Sequence, residues 1–410
     1  MRVGGTVFFK GYSCYTHQKE LNNANPNPRH LYAWRYFKRH FFNLADLPKP
    51  CQVAGQARDA FLLRVVGSPD PYCKQIDGLG GGSSSTSKVA IISPATDGTH
   101  DVNYLFGQVA IDKAMIDWSG NCGNLTGAVG SFAIFNGLIS KDKIPENGIC
   151  TVKIYQQNIG KTIIAYVPIK DGAVVETGDF ELDGVTFPAS EIKIEFIDPV
   201  DDTGEMFPTG NLTDTLVVPD VGDFTVTMIN AGIPTIFLYA HELGLSGTEK
   251  QADINTNGEI LAKLEKIRAY GAVKMGLIDD VSEAVSRQHT PKIAWVAPPT
   301  DYVASSGKTV KADDIDLLVW AMSMGQLHHA MMGTASVAIG TAGTIVGTIV
   351  NEVAGGQALS EVCFGHPSGT LTVGGQSECV NGKWVARKVS MSRSARRLMV
   401  GSVFVPADCF

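Results

Sequence analysis

The chain has 410 residues and a formal net charge of −7, from 41 acidic and 34 basic side chains. This acidic balance argues against nucleic-acid binding through bulk charge, and no apolar run approaches the ~18 residues of a membrane span. The 44 glycines follow no collagen period, and only 18% of the residues are charged. With 44% apolar residues the chain can bury a large core, so the composition predicts a loop-rich globular enzyme.

The cysteines give an expectation about the compartment. Eight of them are spread along the chain without a CxxC pair or a zinc-site spacing. This density is ordinary for reduced, buried thiols in a long chain. The sequence opens without the apolar segment of a secretion signal. We therefore expect a cytoplasmic protein.

The first forty residues differ from the rest. Residues 10–40 are basic, with interleaved aromatic side chains and the helix-breaking stretch NNANPNP. Such a segment could bind RNA or an anionic surface. The alternatives are an extension, an artefact of the gene model or a surface insertion, and we interpret it as an atypical insertion.

From residue 42 onward the pattern of apolar residues becomes regular and predicts elements in two runs. The first run comprises an amphipathic helix over 57–67, a glycine/serine loop entering a strand over 78–93, a helix over 104–116, a tight turn at 118–124, an apolar helix over 125–139 and a hairpin over 150–169. The second comprises a strand, loop and strand over 224–240, a strand over 315–326, a turn at 327–333, an apolar small-residue helix over 334–345 and a strand–turn–strand unit over 361–375.

The two runs share the order of turn, small-residue helix and hairpin. A helix that is apolar all round is typical of a buried one. We therefore predict an α+β protein of two similar domains, residues 1–200 and 201–410. Each would wrap a sheet around a central apolar helix, and the active site would lie in the cleft between them.

Lys88 is the first candidate for chemistry. It follows small hydroxyl residues and opens the apolar strand VAII, but Ser87 stands where a P-loop requires glycine, and a strand follows instead of a helix. If buried, this lysine would have a lowered pKa and could move protons. The alternative is an ordinary lysine at a strand end in solvent.

Cys122 lies in GNCGN, at the predicted N-terminus of a helix. The amides of the first helical turn would bind a carboxylate and would stabilise a thiolate there. The alternative is a buried structural cysteine in a tight turn. In the second half the turn HHAMMGT offers His328 or His329 with helix amides, and the HPSG turn offers His366 and Ser368 as weaker candidates.

Long motifs over residues 42–410 closely resemble the 2-methylaconitate cis-trans isomerase (PrpF) family: QIDGLGGGSSSTSK, LFGQVAIDKAMIDWSGNCGNLTGAVGSFAI, IGKTIIAYVPI, TGDFELDGVTFP, NAGIPTIFL, GQLHHAMMGT and FGHPSGTL. The resemblance implies a diaminopimelate epimerase-like fold, with two like domains and a sheet around a central helix in each. It also implies isomerisation of unsaturated tricarboxylates or dicarboxylates without a metal or an organic cofactor.

The same resemblance implies an acid/base role for Lys88, in the TSK motif, and for Cys122, in GNCGN. It implies substrate-binding roles for residues in the surrounding motifs: Thr86, Ser87, Asn121, Gly123, Asn124, Asn230, Gly232, His328, His329, Met332, Gly333, Thr334, His366 and Ser368. Our hypothesis is that Lys88 removes an allylic proton while helix amides hold the resulting dienolate. Whether Cys122 transfers a proton or only shapes the anion pocket stays open.

The sequence departs from related enzymes at two places. Diaminopimelate epimerase-like racemases use a cysteine from each half, whereas the second-half turn here has none, which favours isomerisation over racemisation. The N-terminus begins MRVGGT, lacks the family's SKG and reaches FFNLADLP only at residue 41. The sequence therefore does not decide whether Arg2, Gly5 and Thr6 make the contacts that the family resemblance implies.

Two alternative functions remain at this point. One is a non-catalytic binding protein that supports an aconitase-type dehydratase. The other is an isomerase of an alkyl-substituted aconitate or itaconate in a secondary pathway. For partners we expect a small carboxylate substrate, a homodimer and a functional link to an aconitase-type dehydratase, with neither nucleic acid nor membrane.

Overall fold

The structure is a computed structural model and describes residues 24–25, 40–200, 205–406 and 409. The longer strands are β1 (His40–Asn43), β2 (Lys88–Pro94), β3 (Val102–Val109), β4 (Gly148–Gln156), β5 (Lys161–Lys170), β6 (Glu191–Ile197), β7 (Asp214–Val218), β8 (Gly222–Ala231), β9 (Ile233–Tyr239), β10 (Lys292–Ala297), β11 (Leu317–Ser323), β12 (Glu361–His366), β13 (Gly369–Val380) and β14 (Lys383–Ser394). Two-residue strands lie at Ala24–Asn25, Ile116–Asp117, Ala173–Val174, Tyr302–Val303, Thr309–Val310, Gln326–Leu327 and Val405–Pro406.

The α-helices are α1 (Gln56–Val66), α2 (Gly123–Phe135), α3 (Ala240–Leu243), α4 (Gln251–Asn255), α5 (Gly258–Lys274), α6 (Gly333–Gly343) and α7 (Ile349–Val353). Short 3-10 helices lie at Leu44–Asp46, Lys49–Gln52, Lys141–Lys143, Val281–Ser286 and Ala312–Asp314. As far as the chain is described, none of these helices is long and apolar enough to cross a membrane.

The longer strands form one continuous sheet in the order β1-β2-β3-β4-β5-β6-β14-β13-β12-β11-β10-β9-β8-β7. The pairs β1–β2 and β3–β4 are parallel, and so are β9–β10 and β11–β12, while the other neighbours are antiparallel. The run from β1 to β6 therefore has the same strand order and directions as the run from β9 to β14. The predicted likeness of the two halves is confirmed.

A helix occupies the same place in each half. The chain passes through α2 between β3 and β4, and through α6 between β11 and β12. Every residue of α6 is buried, as are residues 125–133 of α2. Small residues permit this, because a Cβ on Gly130 would lie 2.8 Å from Val167 Cγ2 and one on Gly340 would lie 2.5 Å from Val373 Cγ1. The prediction of two buried small-residue helices is confirmed.

The two halves share one core and one strand. The largest hydrophobic cluster contains Phe132 and Val167 from the first half together with Ile339 and Val373 from the second. Strand β14 pairs with β6 on one side and with β13 on the other. The last long strand thus joins the sheet of the first half, and the domain boundary at residue 200 stays a prediction.

The helix predicted over 104–116 is wrong. Residues 102–109 form β3, which lies between β2 and β4, and its last four residues are all buried. Burial on both faces removes the alternation of apolar and polar residues that identifies a half-exposed strand. The remaining apolar residues then occur at intervals that suggest a helix.

Most of the residues for which the N-terminal predictions were made lie outside the described part of the chain. Apart from Ala24–Asn25, which pairs with Val405–Pro406, and His40, the atypical insertion predicted over 10–40 lies outside the described residues. The contacts of Arg2, Gly5 and Thr6 lie outside them as well.

Candidate active site

The N-termini of α2 and α6 meet at Gly123 and Gly333, the first residue of each helix. A Cβ on Gly123 would lie 2.8 Å from the carbonyl carbon of Gly333, and one on Gly333 would lie 2.7 Å from the carbonyl carbon of Gly123. The two backbones are thus in direct contact, which only glycine permits at either position. Amides in the first turn of a helix have no acceptor within it and carry partial positive charge. The junction therefore brings first-turn amides from both halves together, and its role in binding an anion stays a prediction.

Lys88 and Cys122 lie side by side at this junction. Lys88 is the first residue of β2, and Cys122 caps α2. The Nζ atom of Lys88 donates to the Sγ atom of Cys122 over 3.7 Å. Cys122 is 7% exposed and Lys88 is half-buried. The structure thus brings together the two residues for which the family resemblance implied an acid/base role.

The loop before Lys88 is fixed by two buried glutamines. The Oε1 atom of Gln75 accepts from the amide of Gly82 and from the hydroxyl of Ser87, both over 2.8 Å. The Nε2 atom of Gln108 donates to the carbonyls of Ser84 and Ser87 over 3.1 and 3.0 Å. These bonds fix the start of β2 and with it the amine of Lys88.

The asparagines beside Cys122 carry unsatisfied polar atoms. Asn121 is 3% exposed, and its Oδ1 accepts from the amide of Cys122 over 2.6 Å. Its Nδ2 and the Oδ1 of Asn124 are buried and have no hydrogen-bond partner among the described residues. Buried polar groups are nearly always paired, so unpaired ones at a helix N-terminus indicate a place for a ligand. A carboxylate would accept a hydrogen bond from Asn121.

The two second-half turns lie against each other. Ser368 donates its hydroxyl hydrogen bond to the carbonyl of His329, whose ring stacks on that of His328 with centroids 4.7 Å apart. Burial lowers the pKa of His366 to about 3. Burial also holds the pKa of His328 well below its usual range, and the neighbouring His329 lowers it further. These two imidazoles are therefore neutral at physiological pH. Met332 caps α6, and Thr334 lies in its first turn.

The other predicted binding residues lie in two places, a cleft that the lysine–cysteine pair does not line and the loop just before Lys88. Asn230 and Gly232 line a cleft of about 620 Å³ between the halves, which Lys88 and Cys122 do not line. A Cβ on Gly232 would lie 2.9 Å from the carbonyl oxygen of Thr334, so Gly232 supports the first turn of α6. The hydroxyl of Thr86 is hydrogen-bonded to Ser83, and the hydroxyl of Ser87 donates a hydrogen bond to the carbonyl of Ser83 in the same loop. The role of each of these residues in binding stays a prediction.

The sequence analysis missed two residues beside this site, the half-buried His289 and the buried Lys292. Lys292 is 2% exposed, and its Nζ lies 3.5 Å from the Nδ1 of His289. The signal was present as an internal repeat: TSKVA at residues 86–90 and TPKIA at 290–294 place a lysine at the start of β2 and of β10.

Within the described ranges, no group of three or more histidine, cysteine, aspartate or glutamate side chains is arranged to hold a metal ion. The groups that the site does offer are an amine, a thiol, neutral imidazoles and helix amides. Together they can bind carboxylates and move a proton.

A comparison with known families decides where the chain belongs. The family described as PrpF protein matches residues 37–406. The chain belongs to the PrpF family. It is 66% identical over 370 residues to 2-methyl-aconitate isomerase of Shewanella oneidensis, a match that covers 89% of this chain and 93% of that protein. It is 40% identical over 364 residues to 3-methylitaconate isomerase of Eubacterium barkeri, covering 88% and 92% of the two chains.

Solved structures agree with this family membership. The crystal structure of methylitaconate-delta-isomerase superposes on this PrpF chain with a TM-score of 0.76 and 37% identity, covering 94% of this chain and 97% of that one. A hydroxyproline epimerase from Agrobacterium vitis shares the fold, with a TM-score of 0.52 at 10% identity and 93% of each chain covered. The predicted epimerase-like fold and the predicted enzyme class, an isomerase, are both confirmed.

Proposed function

We propose that this PrpF chain isomerises unsaturated tricarboxylic acids of the 2-methylaconitate or aconitate type by removing and returning an allylic proton. The observation that carries the proposal is the amine of Lys88, 3.7 Å from the thiol of Cys122, at the junction of two helix N-termini. Amides at such a junction hold a carboxylate, and an amine beside it can reach the carbon next to that carboxylate.

The reaction needs one base and a stabilised anion. Uncharged Lys88 takes the allylic proton, and the C–H electron pair moves into the conjugated system to give a dienolate. The first-turn amides of α2 and α6 stabilise the charge that develops on the carboxylate. The Lys88 ammonium then returns the proton, either at the other end of the allylic system or after rotation about the former double bond. Proton and charge both balance, and the steps require no further co-reactant.

The relatives support the choice of substrate. The relative from Shewanella oneidensis, at 66% identity, is named for 2-methyl-aconitate, and the one from Eubacterium barkeri, at 40%, is named for 3-methylitaconate. We therefore place aconitates ahead of itaconates. A cytoplasmic location, a homodimer and a functional link to an aconitase-type dehydratase remain predictions that accompany this proposal.

Proton NMR tests the proposal directly. Purified protein is incubated in deuterium oxide with cis-2-methylaconitate, cis-aconitate and methylitaconate in separate samples. We expect isomer interconversion with deuterium at the allylic carbon, fastest for one of the two aconitates. Tight binding of these acids with neither interconversion nor exchange would contradict the proposal and would support the non-catalytic binding protein.

A further inference from the structure

Each half has a hairpin whose tip lies against the turn before the central helix. In the first half β4 and β5 form this hairpin, and residues 157–160 form its tip. In the second half β12 and β13 form the equivalent hairpin, with Pro367 and Ser368 at the tip. The hairpins lie beside β3 and β11, the strands after which the chain turns toward α2 and α6. Each tip is therefore placed to hold the turn in its own half.

The side chain of Asn158, at the first tip, makes four hydrogen bonds. Its Oδ1 accepts from the amide of Phe106 over 2.8 Å and from the Nε2 of Gln156 over 2.5 Å. Its Nδ2 donates to the carbonyl of Phe106 over 2.8 Å and to the carbonyl of Trp118 over 2.6 Å. A carboxamide has two donor hydrogens and two acceptor lone pairs on its oxygen, so its whole capacity is used. An aspartate lacks the donors and could not replace it.

Two of these bonds continue the sheet where its backbone pairing ends. The parallel pairing of β3 with β4 ends at Tyr104, whose carbonyl also accepts from the amide of Gln157 over 2.9 Å. Two residues further along β3, both backbone groups of Phe106 are bonded by the Asn158 side chain instead. Phe106 is buried, so its backbone groups need a partner. The side chain of Asn158 is therefore fixed to the sheet.

The bond to Trp118 joins the sheet to the turn that ends at Cys122. Trp118 begins this turn, four residues before Cys122, which caps α2. The bonds that the amide and hydroxyl of Ser119 donate, and the one that the amide of Cys122 donates, run to neighbours in sequence. Asn158 instead ties the turn to β3, which pairs with the strand that carries Lys88. Loss of this link would therefore let Cys122 move relative to Lys88.

The second half has the same arrangement with a different side chain. The hydroxyl of Ser368 donates to the carbonyl of His329, three residues before Met332, which caps α6. The hydroxyl oxygen of Ser368 also lies 3.2 Å from that of Ser305, whose amide donates to the carbonyl of Pro367 over 2.8 Å. In each half, a side-chain donor at the hairpin tip thus holds a carbonyl of the turn before the central helix. Because the two halves do this with different residue types, the link belongs to the architecture of the site.

We propose that Asn158 is a positioning residue of the isomerase: it anchors the turn before α2 and so holds the thiol of Cys122 and the first-turn amides of α2 in place relative to Lys88 and α6. This inference rests on the proposed function. Asn158 acts through the carbonyl of Trp118 and not by contact with the substrate. It is half-buried and lines the cleft of about 620 Å³ between the halves. Water can therefore reach its partners when the side chain is shortened.

Asn158→Asp tests the inference by changing the donors alone. Aspartate has the same shape and keeps the acceptors, but it sets a carboxylate oxygen against the carbonyls of Phe106 and Trp118. We expect kcat/KM to fall about 10²-fold, as misplacement by about an ångström can do. Asn158→Ala should lower it less, because water from the cleft can bond these carbonyls, and it serves if the aspartate variant does not fold. Asn147→Asp is the matched control, since Asn147 lies at the other end of the same hairpin and only accepts, from the amide of Asp171 over 3.2 Å. Its kcat/KM should be native.

Calorimetry separates a positioning role from a loss of folded protein. Propane-1,2,3-tricarboxylate, a saturated triacid, is titrated into each protein. Loss of folded protein lowers the number of binding sites and leaves Kd unchanged, whereas a displaced turn raises Kd. We expect Kd to rise about tenfold in Asn158→Asp at a native number of sites, the effect of misplacing one hydrogen bond to a charged group.

Two results would overturn the inference alone. One is native Kd and native kcat/KM in both Asn158 variants, and the other is a fall in the number of sites without a change in Kd. Absence of turnover by the native protein with every acid tested overturns the proposed function instead.

Discussion

In the proposed mechanism Lys88 is the base, and the fold holds its half-buried amine beside the thiol of Cys122. Gln75 and Gln108 fix the loop that precedes it, so the start of β2 reaches the residue that caps α2. Lys292, in the equivalent strand, is more deeply buried, at 2% exposure. A buried amine with a lowered pKa destabilises the folded protein wherever the unfolded chain would be protonated.

The stability of the folded protein should therefore depend on pH in a way that shows the lowered pKa of Lys292. Its pKa is about 7 when folded, against about 10.4 for an unfolded lysine. Above about pH 10.4 neither state binds the proton, so the group contributes no penalty. As the pH falls toward 7 the unfolded chain gains a proton that the folded protein lacks, and stability decreases. Lys292→Met should thus be more stable than the native protein at pH 7, by a few kcal/mol.

Chemical denaturation at several pH values measures this difference. The advantage of Lys292→Met should shrink steadily between about pH 7 and pH 10 and should be small above that range. A variant that is less stable than the native protein at pH 7, or whose advantage does not change with pH, would contradict the assignment of a buried, mostly deprotonated amine.

At the scale of elements, the site depends on two helices that touch end to end. Gly123 and Gly333 make this contact possible, since each would place a Cβ less than 3.0 Å from the backbone of the other helix. The contact places the first-turn amides of both helices around one point. In the proposed mechanism, a small separation of the helices would move one set of amide donors away from the substrate carboxylate.

Gly123→Ala should force the two helix ends apart. We expect kcat/KM to fall about 10²-fold, as misplacement by about an ångström can do, together with a lower melting temperature. The matched control is Gly258→Ala, because Gly258 is also the first residue of a helix but has open space around its Cα. Steady-state kinetics on both variants decide the matter. Native kcat/KM in Gly123→Ala would show that the end-to-end contact is not needed.

The elements differ in how far sequence could predict them. The helices α2 and α6 were predictable because their own residues are small and apolar on every face. The hairpin of β4 and β5 was predictable because its buried and exposed residues alternate. Strand β3 was not, since burial on both faces removes that alternation. No prediction covered the seventeen-residue helix α5.

The site was predictable only where a local sequence motif marks its residues. Lys88 and Cys122 are marked by glycine-rich motifs in their own neighbourhoods. Lys292 follows no such loop, and its place beside the site depends on the pairing of β10 with β9 and β11. Only comparison of the two halves reveals it, because its importance comes from the repeat and not from its neighbours in sequence.

At the scale of the whole molecule, one sheet joins both halves. Strand β14 connects β6 to β13, and the largest hydrophobic cluster includes side chains packed around both α2 and α6. Neither half could unfold without exposing apolar surface of the other. Such sharing favours a single cooperative transition.

The two halves should therefore unfold together. Hydrogen exchange read by mass spectrometry over a denaturant series should give the same midpoint for α2 and α6. Met391→Ala, on β14 at 3% exposure, should lower the free energy of unfolding by about 2–5 kcal/mol and move both midpoints equally. Two separate midpoints, or a shift confined to one helix, would contradict a shared core.

The central claim is that Lys88 moves the substrate proton, and its most direct test is the rate of deuterium incorporation into cis-2-methylaconitate by Lys88→Ala. Loss of the amine removes the base, so exchange and isomerisation should both fall by about 10²–10⁴-fold. Circular dichroism and the melting temperature should show an intact fold. Proton NMR in deuterium oxide gives both rates from one sample. Exchange within a few-fold of the native rate in the folded variant would contradict the account.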